Sequence, residues 1–217
     1  MVPPLPCPDE DSCILYLLRH GASANNLLTP PRLQGRHENA GLSESGRQQA
    51  ATTARLFTSS LISAVYSSPL LRATETAQPI ASSHQLTVLE IADLIEADVG
   101  NWAGRHWAEI ASSDSNAYGL FMDDPGLNPY SGGESFGDVA DRILPVFDRL
   151  LSLHTGESIV VVGHNVVNRI YLAKLMGIPL CNSRQIKQSN CGVNVIRGDL
   201  NRNRLITLNS VFHLGFD

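Results

Sequence analysis

Ile14-Leu15-Tyr16-Leu17-Leu18-Arg19-His20-Gly21 is an apolar run of strand length that ends on an arginine, a histidine and a glycine. A run this short and this apolar fits a central strand covered on both faces. Its end delivers a guanidinium and an imidazole to one rigid point at the edge of a sheet. The Arg19 fork is permanently charged and matches phosphate oxygens, and a neutral His20 can act as a nucleophile near neutral pH. Gly21, lacking a Cβ, lets the chain turn sharply and an anion approach its amide. The combination suits phosphoryl chemistry, although a tripeptide alone also describes a strand end with solvated side chains.

Working outward, Ser43 reads as the N-cap of a helix through Gln48, Ala54 and Phe57. A second strand, 64–67, leads into Pro69, expected in the first turn of a helix carrying Leu70 to Ala81. A short strand is predicted near 87–89. Residues 94–104 read as extended chain and turn around Trp102, and 107–130 as short helices broken at Asp124-Pro125-Gly126. Ser135 opens the longest helical pattern, Phe136 to Leu151, with a kink expected at Pro145. A second wholly apolar strand, 158–162, ends in Gly163-His164, and a helix follows from about Val166 to Met176. Residues 192–196 and 204–208 read as an edge hairpin. Alternating strands and helices predict a three-layer α/β/α sandwich whose central sheet is mostly parallel. Such sheets bind ligands beyond the carboxyl ends of their strands, where Arg19-His20 and His164 both fall.

Composition narrows the partners. At 217 residues and 43% hydrophobic, the chain can bury one sizeable core. We read residues 13–217 as a single catalytic domain behind a flexible N-terminal tail, 1–12, which has neither the basic nor the apolar region of a signal peptide. The net charge of −5, with Lys174 and Lys187 the only lysines, argues against nucleic acid or an anionic membrane. Cys7, Cys13, Cys181 and Cys191 show neither metal-ligand spacing nor a disulfide framework. The expected setting is cytoplasmic, with no metal and no cofactor.

Three further motifs join the first. Tyr66-Ser67-Ser68-Pro69-Leu70-Leu71-Arg72-Ala73-Thr74-Glu75-Thr76 sets another arginine at the start of a helix. Leu94-Ile95-Glu96-Ala97-Asp98-Val99-Gly100-Asn101-Trp102 supplies carboxyl groups beside an aromatic, and Val161-Val162-Gly163-His164-Asn165 puts a second histidine at a strand end. Together, from about Ile14 to Ile206, the chain resembles the histidine phosphatase superfamily in its phosphoglycerate-mutase-like branch. The resemblance implies that His20 is the nucleophile that becomes phosphohistidine, that Arg19, Arg72, His164, Asn26 and Asn165 bind the phosphate, and that Glu96 donates the proton, with Asp98 as the alternative donor. Gly35, Leu42, Ser43, Gly46 and Gln49-Ala50 match a motif that shapes the pocket wall. Ala22, Asn39, Ala40-Gly41 and Ala103 depart from the family pattern around the rim, where substrate choice is made. Ser23 and Asn165 separate the chain from the acid-phosphatase branch, which expects a second arginine and His-Asp at those positions.

The chemistry gives each group a reason. Neighbouring guanidinium groups keep an imidazole neutral and therefore nucleophilic, and they stabilise the equatorial oxygens of a phosphoryl group in transfer. The leaving alkoxide needs a proton, which Glu96 supplies if a bound dianion or burial against Trp102 favours its acid form. Arg36, His37 and Glu38 read as a solvated loop, and Arg169 as structural. The short interval between Glu96 and His164 lacks the long insertion of the mutases. The expected function is metal-independent phosphomonoester hydrolysis of a small phosphorylated metabolite. A cofactor-dependent phosphoglycerate mutase and a non-catalytic phosphate-binding protein are the alternatives.

Overall fold

A computed structural model of the chain describes residues 5–199 and 202–215. In chain order the elements are β1 (Ser12–Arg19), α1 (Ala24–Leu27), α2 (Glu44–Phe57), β2 (Ala64–Ser67), α3 (Leu71–Ser83), β3 (Val88–Glu90), α4 (Trp107–Ser113), α5 (Ser115–Asp123), α6 (Phe136–Leu153), β4 (Ser158–Gly163), α7 (Asn165–Met176), β5 (Val193–Asp199) and β6 (Asn203–Ser210). The strands form one sheet in the order β3-β2-β4-β1-β5-β6. The first four run parallel, and β5 and β6 add an antiparallel hairpin at one side.

β1 is apolar throughout because both its faces are covered. Cys13, Leu15 and Leu17 pack with Ile143 and Phe147 of α6 and Val167 and Ile170 of α7. Ile14, Tyr16 and Leu18 point the other way, onto Ala54 and Phe57 of α2 and Ala73, Ala77 and Ile80 of α3. This is the predicted three-layer sandwich, and each fully buried Leu or Ile in it contributes about 1.5–3 kcal/mol of transfer free energy. α6 starts where its sequence says, with Ser135 and Asp138 exchanging hydrogen bonds in a capping box. It runs unbroken across Pro145, because its apolar stripe from Phe136 to Leu151 is clamped against the sheet.

Two readings need adjustment. Pro69 precedes the N-cap Leu70 and is not part of the first turn of α3, whose interior instead holds Pro79. Ser12 already belongs to β1. In the segment read as a tail, Tyr16 Oη donates to Pro6 O at 2.7 Å, and Arg197 reaches Asp9 at 2.7 Å and Cys7 O at 2.9 Å. Residues 1–4 of that segment lie outside the described residues.

The parallel strands bring their carboxyl ends together. Arg19 pairs in register with Gly163, and Ser67 with Val162, so His20, Ser68 and His164 leave three adjacent strands at one level. The loop after His20 lies directly on the first turn of α2. A Cβ on Gly46 would stand 2.0 Å from the Ala22 carbonyl oxygen, and one on Gly21 would stand 2.7 Å from Gly46 O. Both contacts are with backbone, which cannot swing aside. Gly46→Ala is therefore expected to destabilise the chain by about 3 kcal/mol, beyond the small helix-propensity gain. Urea unfolding measures it, and an unchanged midpoint would mean that the loop is free to lift.

Candidate active site

His20 (3% exposed), Arg72 (1%), Glu96 (7%) and His164 (0%) are all withdrawn from solvent. A cleft of about 90 Å³ is lined by Arg19, His20, Asn26, Arg72, Glu96 and Asn165, among others. The imidazoles of His20 and His164 stand with centroids 5.2 Å apart. The structure thus brings Arg19, His20, Asn26, Arg72, Glu96, His164 and Asn165 together at the carboxyl end of the sheet.

Hydrogen-bond accounting fixes both histidine tautomers. His20 Nδ1 lies 2.7 Å from the Gly21 carbonyl, which can only accept, so Nδ1 carries the proton and Nε2 keeps its lone pair. His164 Nε2 lies 2.7 Å from Ser68 Oγ, which accepts from the Leu70 amide at 3.3 Å and has no other acceptor for its own proton among the described residues. The hydroxyl proton therefore goes to Nε2, and His164 carries its own proton on Nδ1. That Nδ1, together with Arg19 Nε and Arg72 Nε, is buried without a protein acceptor. Three donors thus surround an imidazole with a free lone pair, a set matched to a tetrahedral oxyanion.

The cations are held by backbone. Arg72 donates to Glu38 O at 2.6 Å and Gly35 O at 2.9 Å, and Arg19 donates to Gln188 O at 2.7 Å. Burial first, then Arg19 and Arg72, hold the His20 imidazole well below the usual histidine range. Burial, with Arg72, His20 and Arg19, does the same to His164. Burial pushes Arg19 down to about 10 against the opposing pull of Glu96. Below about pH 6.5 the unfolded chain thus takes up protons that the folded histidines refuse. Stability is full above that pH and is expected to decline as pH falls toward 5, with a lower urea midpoint at each step. The decline should be shallower in a His20→Asn/His164→Asn double variant, and an identical slope would assign the effect to other groups.

Glu96 Oε1 accepts from its neighbour Ala97 N at 3.0 Å, and its carboxylate also takes the amides of Val166 and Val167 at 3.3 and 3.4 Å. Its loop is clamped from behind by Arg142, which bonds Glu134 at 2.9 Å and Glu96 O at 3.3 Å. Asp98 is differently placed: Arg36 reaches it at 2.6 Å and His37 at 3.1 Å, and it does not line the cleft. Arg36 is thus paired and only partly exposed, whereas His37 stays solvent-exposed, as the solvated-loop reading has it. Trp102 does not line the cleft either, since its indole N–H donates to Asp114 at 2.8 Å. The expected burial of Glu96 against Trp102 is replaced by contact with the start of α7.

Gly21 also has a different role from the one expected. Its amide donates to Thr76 Oγ1 at 3.0 Å, and its φ is not positive, so the residue serves close packing and offers no amide to an anion. Asn26 Oδ1 accepts from the Ser23 amide and hydroxyl, each at 3.0 Å, which leaves Nδ2 available to the cleft. Asn165 presents a buried Oδ1 without a partner. Ser68, Gln34, Arg32, Asn190 and Tyr130 were not singled out as site residues by sequence reasoning. Of these, only Ser68 fell within a motif, and no residue type or spacing marked the others.

Among the described residues no helix is long and apolar enough to cross a membrane, and no cluster of three or more His, Cys, Asp or Glu is arranged to hold a metal ion. The family model of the histidine phosphatase superfamily (branch 1) matches residues 15–211, and the chain belongs to that superfamily. Several of the relatives are named phosphatases. The chain is 31% identical over 201 residues to phosphoserine phosphatase 1 of Hydrogenobacter thermophilus, covering 93% of this chain and 94% of that one. It is 37% identical over 186 residues to the metal-independent phosphoserine phosphatase of Arabidopsis thaliana, covering 84% and 75%. The solved phosphoserine phosphatase of Entamoeba histolytica, in complex with 3-phosphoglyceric acid, superposes with a TM-score of 0.82 at 26% identity, over 93% of this chain and 99% of that one. The chain is a small-metabolite phosphatase of this family, a phosphoric monoester hydrolase.

Proposed function

We propose that the chain hydrolyses its phosphomonoester in two steps through a phosphohistidine on His20. The observation that carries the reading is the set of three buried N–H donors without a protein acceptor, on Arg19, Arg72 and His164, around the unprotonated Nε2 of His20. In this reading Arg19, Arg72, His164, Asn26 and Asn165 bind the phosphoryl oxygens. His20 Nε2 attacks phosphorus as the P–O ester bond breaks. Glu96 gives its proton to the departing alkoxide, and the same carboxylate then takes a proton from the water that attacks the phosphorus of phosphohistidine. Free phosphate leaves and His20 is restored. The guanidinium groups are already oriented by Glu38 O, Gly35 O and Gln188 O, so they stabilise the transferring group without reorganising.

The relatives' names make O-phosphoserine the first ester to test within a panel of phosphorylated metabolites. Phosphate release at steady state, with an acid-labile phosphoenzyme trapped in a rapid quench, is the expected outcome. Interconversion of phosphoglycerates faster than phosphate release would assign the site to a mutase, and tight phosphate binding without turnover would make it a binding protein. The free thiols support a reducing, cytoplasmic setting, which fractionation of the source cells tests.

A further inference from the structure

The turn 187–192 precedes β5 and wraps the end of β1. Gln188 O accepts from Arg19 Nη1 at 2.7 Å, and the Arg19 side chain has no other acceptor among the described residues. The Cys191 amide donates to Arg19 O at 3.1 Å, and Asn190 Nδ2 donates to His20 O at 2.9 Å. The turn therefore holds both the guanidinium of Arg19 and the backbone of the Arg19-His20 pair.

What holds the turn is a set of amide side chains that do not line the cleft. Gln188 is 4% exposed, and Asn194 and Asn168 are fully buried. Gln188 Nε2 donates to Lys187 O at 2.8 Å and to Asn194 Oδ1 at 3.1 Å. Gln188 Oε1 accepts from Asn194 Nδ2 at 2.9 Å and from Asn168 Nδ2 at 3.4 Å. Asn194 Nδ2 also donates to Leu17 O of β1 at 2.9 Å. From the other side, Asn209 Oδ1 accepts the Ser189 amide at 2.6 Å, and Asn209 N donates to Asn194 Oδ1 at 2.8 Å. Asn209 does this at a φ of +49°, and Cys191 within the turn stands at +53°.

Buried carboxamides carry a desolvation cost that apolar side chains of similar size do not, and left-handed backbone is strained at residues other than glycine. Here both features converge on one carbonyl, that of Gln188. A guanidinium has five N–H donors on a long, flexible stem, so one fixed acceptor at Nη1 decides which of its edges faces the cleft. Arg19 Nε, buried without an acceptor, is left for the phosphoryl oxygens.

We infer that Gln188, Asn194 and Asn209 are positioning residues that fix the Arg19 guanidinium through the Gln188 carbonyl, without touching substrate themselves. The inference rests on the reading of Arg19 as a phosphate ligand and adds to it the network that aims the ligand.

Gln188→Met keeps the length of the side chain and the backbone carbonyl but removes the carboxamide. Its kcat/KM for p-nitrophenyl phosphate is expected to fall about tenfold, and competitive inhibition by inorganic phosphate should weaken by a similar factor, the scale of one hydrogen bond to a charged group. Asn209→Gly suits the positive φ while deleting the Ser189 contact, and should give a smaller loss of the same kind. Placed on Arg19→Ala, the same two substitutions should cost nothing further, because the group they aim is gone. Single-turnover rates with enzyme in excess put the slower Arg19→Ala series on the same scale. Circular dichroism checks that each variant is folded, and the half-buried Asn209 carries the test if Gln188→Met does not fold. Wild-type kcat/KM in the folded variants, or an undiminished loss in the Arg19→Ala background, would overturn the inference and leave the amides a role in stability alone. If Arg19→Ala itself turns over at the wild-type rate, the phosphate-ligand reading falls and takes the positioning network with it.

Discussion

His20→Ala protein is expected to release no phosphate above background from any monoester, a loss on the order of 10⁴-fold or more for removal of a nucleophile. The reason lies in hydrogen-bond accounting around the two imidazoles. His20 alone presents an unprotonated ring nitrogen to the cleft, because Gly21 O takes its Nδ1 proton, whereas the Nε2 of His164 is occupied by Ser68 Oγ. The loss should be the same for esters with good and poor leaving groups, since every ester needs the same acceptor for its phosphoryl group. Quenching with labelled substrate should trap phosphoenzyme in the wild type and none in His20→Ala. Phosphoenzyme persisting in that variant would move the nucleophile to His164.

Glu96→Gln should discriminate between leaving groups. On alkyl phosphates the fall is expected at about 10²- to 10⁴-fold, the usual contribution of a positioned acid. On p-nitrophenyl phosphate, whose leaving group needs little protonation, the fall should be far smaller. Glutamine keeps one oxygen for the Ala97 and Val167 amides while losing the proton it would donate and the acceptor that faces Val166 N. Equal losses on both substrates would put the acid elsewhere. Asp98 would be the first to examine, although Arg36 and His37 hold it away from the cleft.

Much of this arrangement is legible without coordinates, and the reason is local. β1 and β4 are apolar without alternation because both faces of each are covered, so their ends can be read from residue type alone. Ser43 and Ser135 mark helix starts because a hydroxyl beside the first free amides is a nearest-neighbour effect. The readings that needed correction depend on distant contacts. Trp102 follows Glu96 by six positions in the motif but belongs to an aromatic cluster with Phe121 and Tyr130. Gly21 serves a close approach to Gly46, a residue 25 positions away in the chain.

From residue order alone came the layer architecture, the strand ends and the roster of groups with phosphoryl chemistry, because hydrophobic period and side-chain type are properties of short segments. Only the packed chain decided which atoms face the cleft. The tautomer of His164, the contact of Glu96 with α7 and the withdrawal of Asp98 all depend on partners tens of residues away. Hydrogen bonds and burial between such partners exist only once the sheet has closed, so no local pattern encodes them.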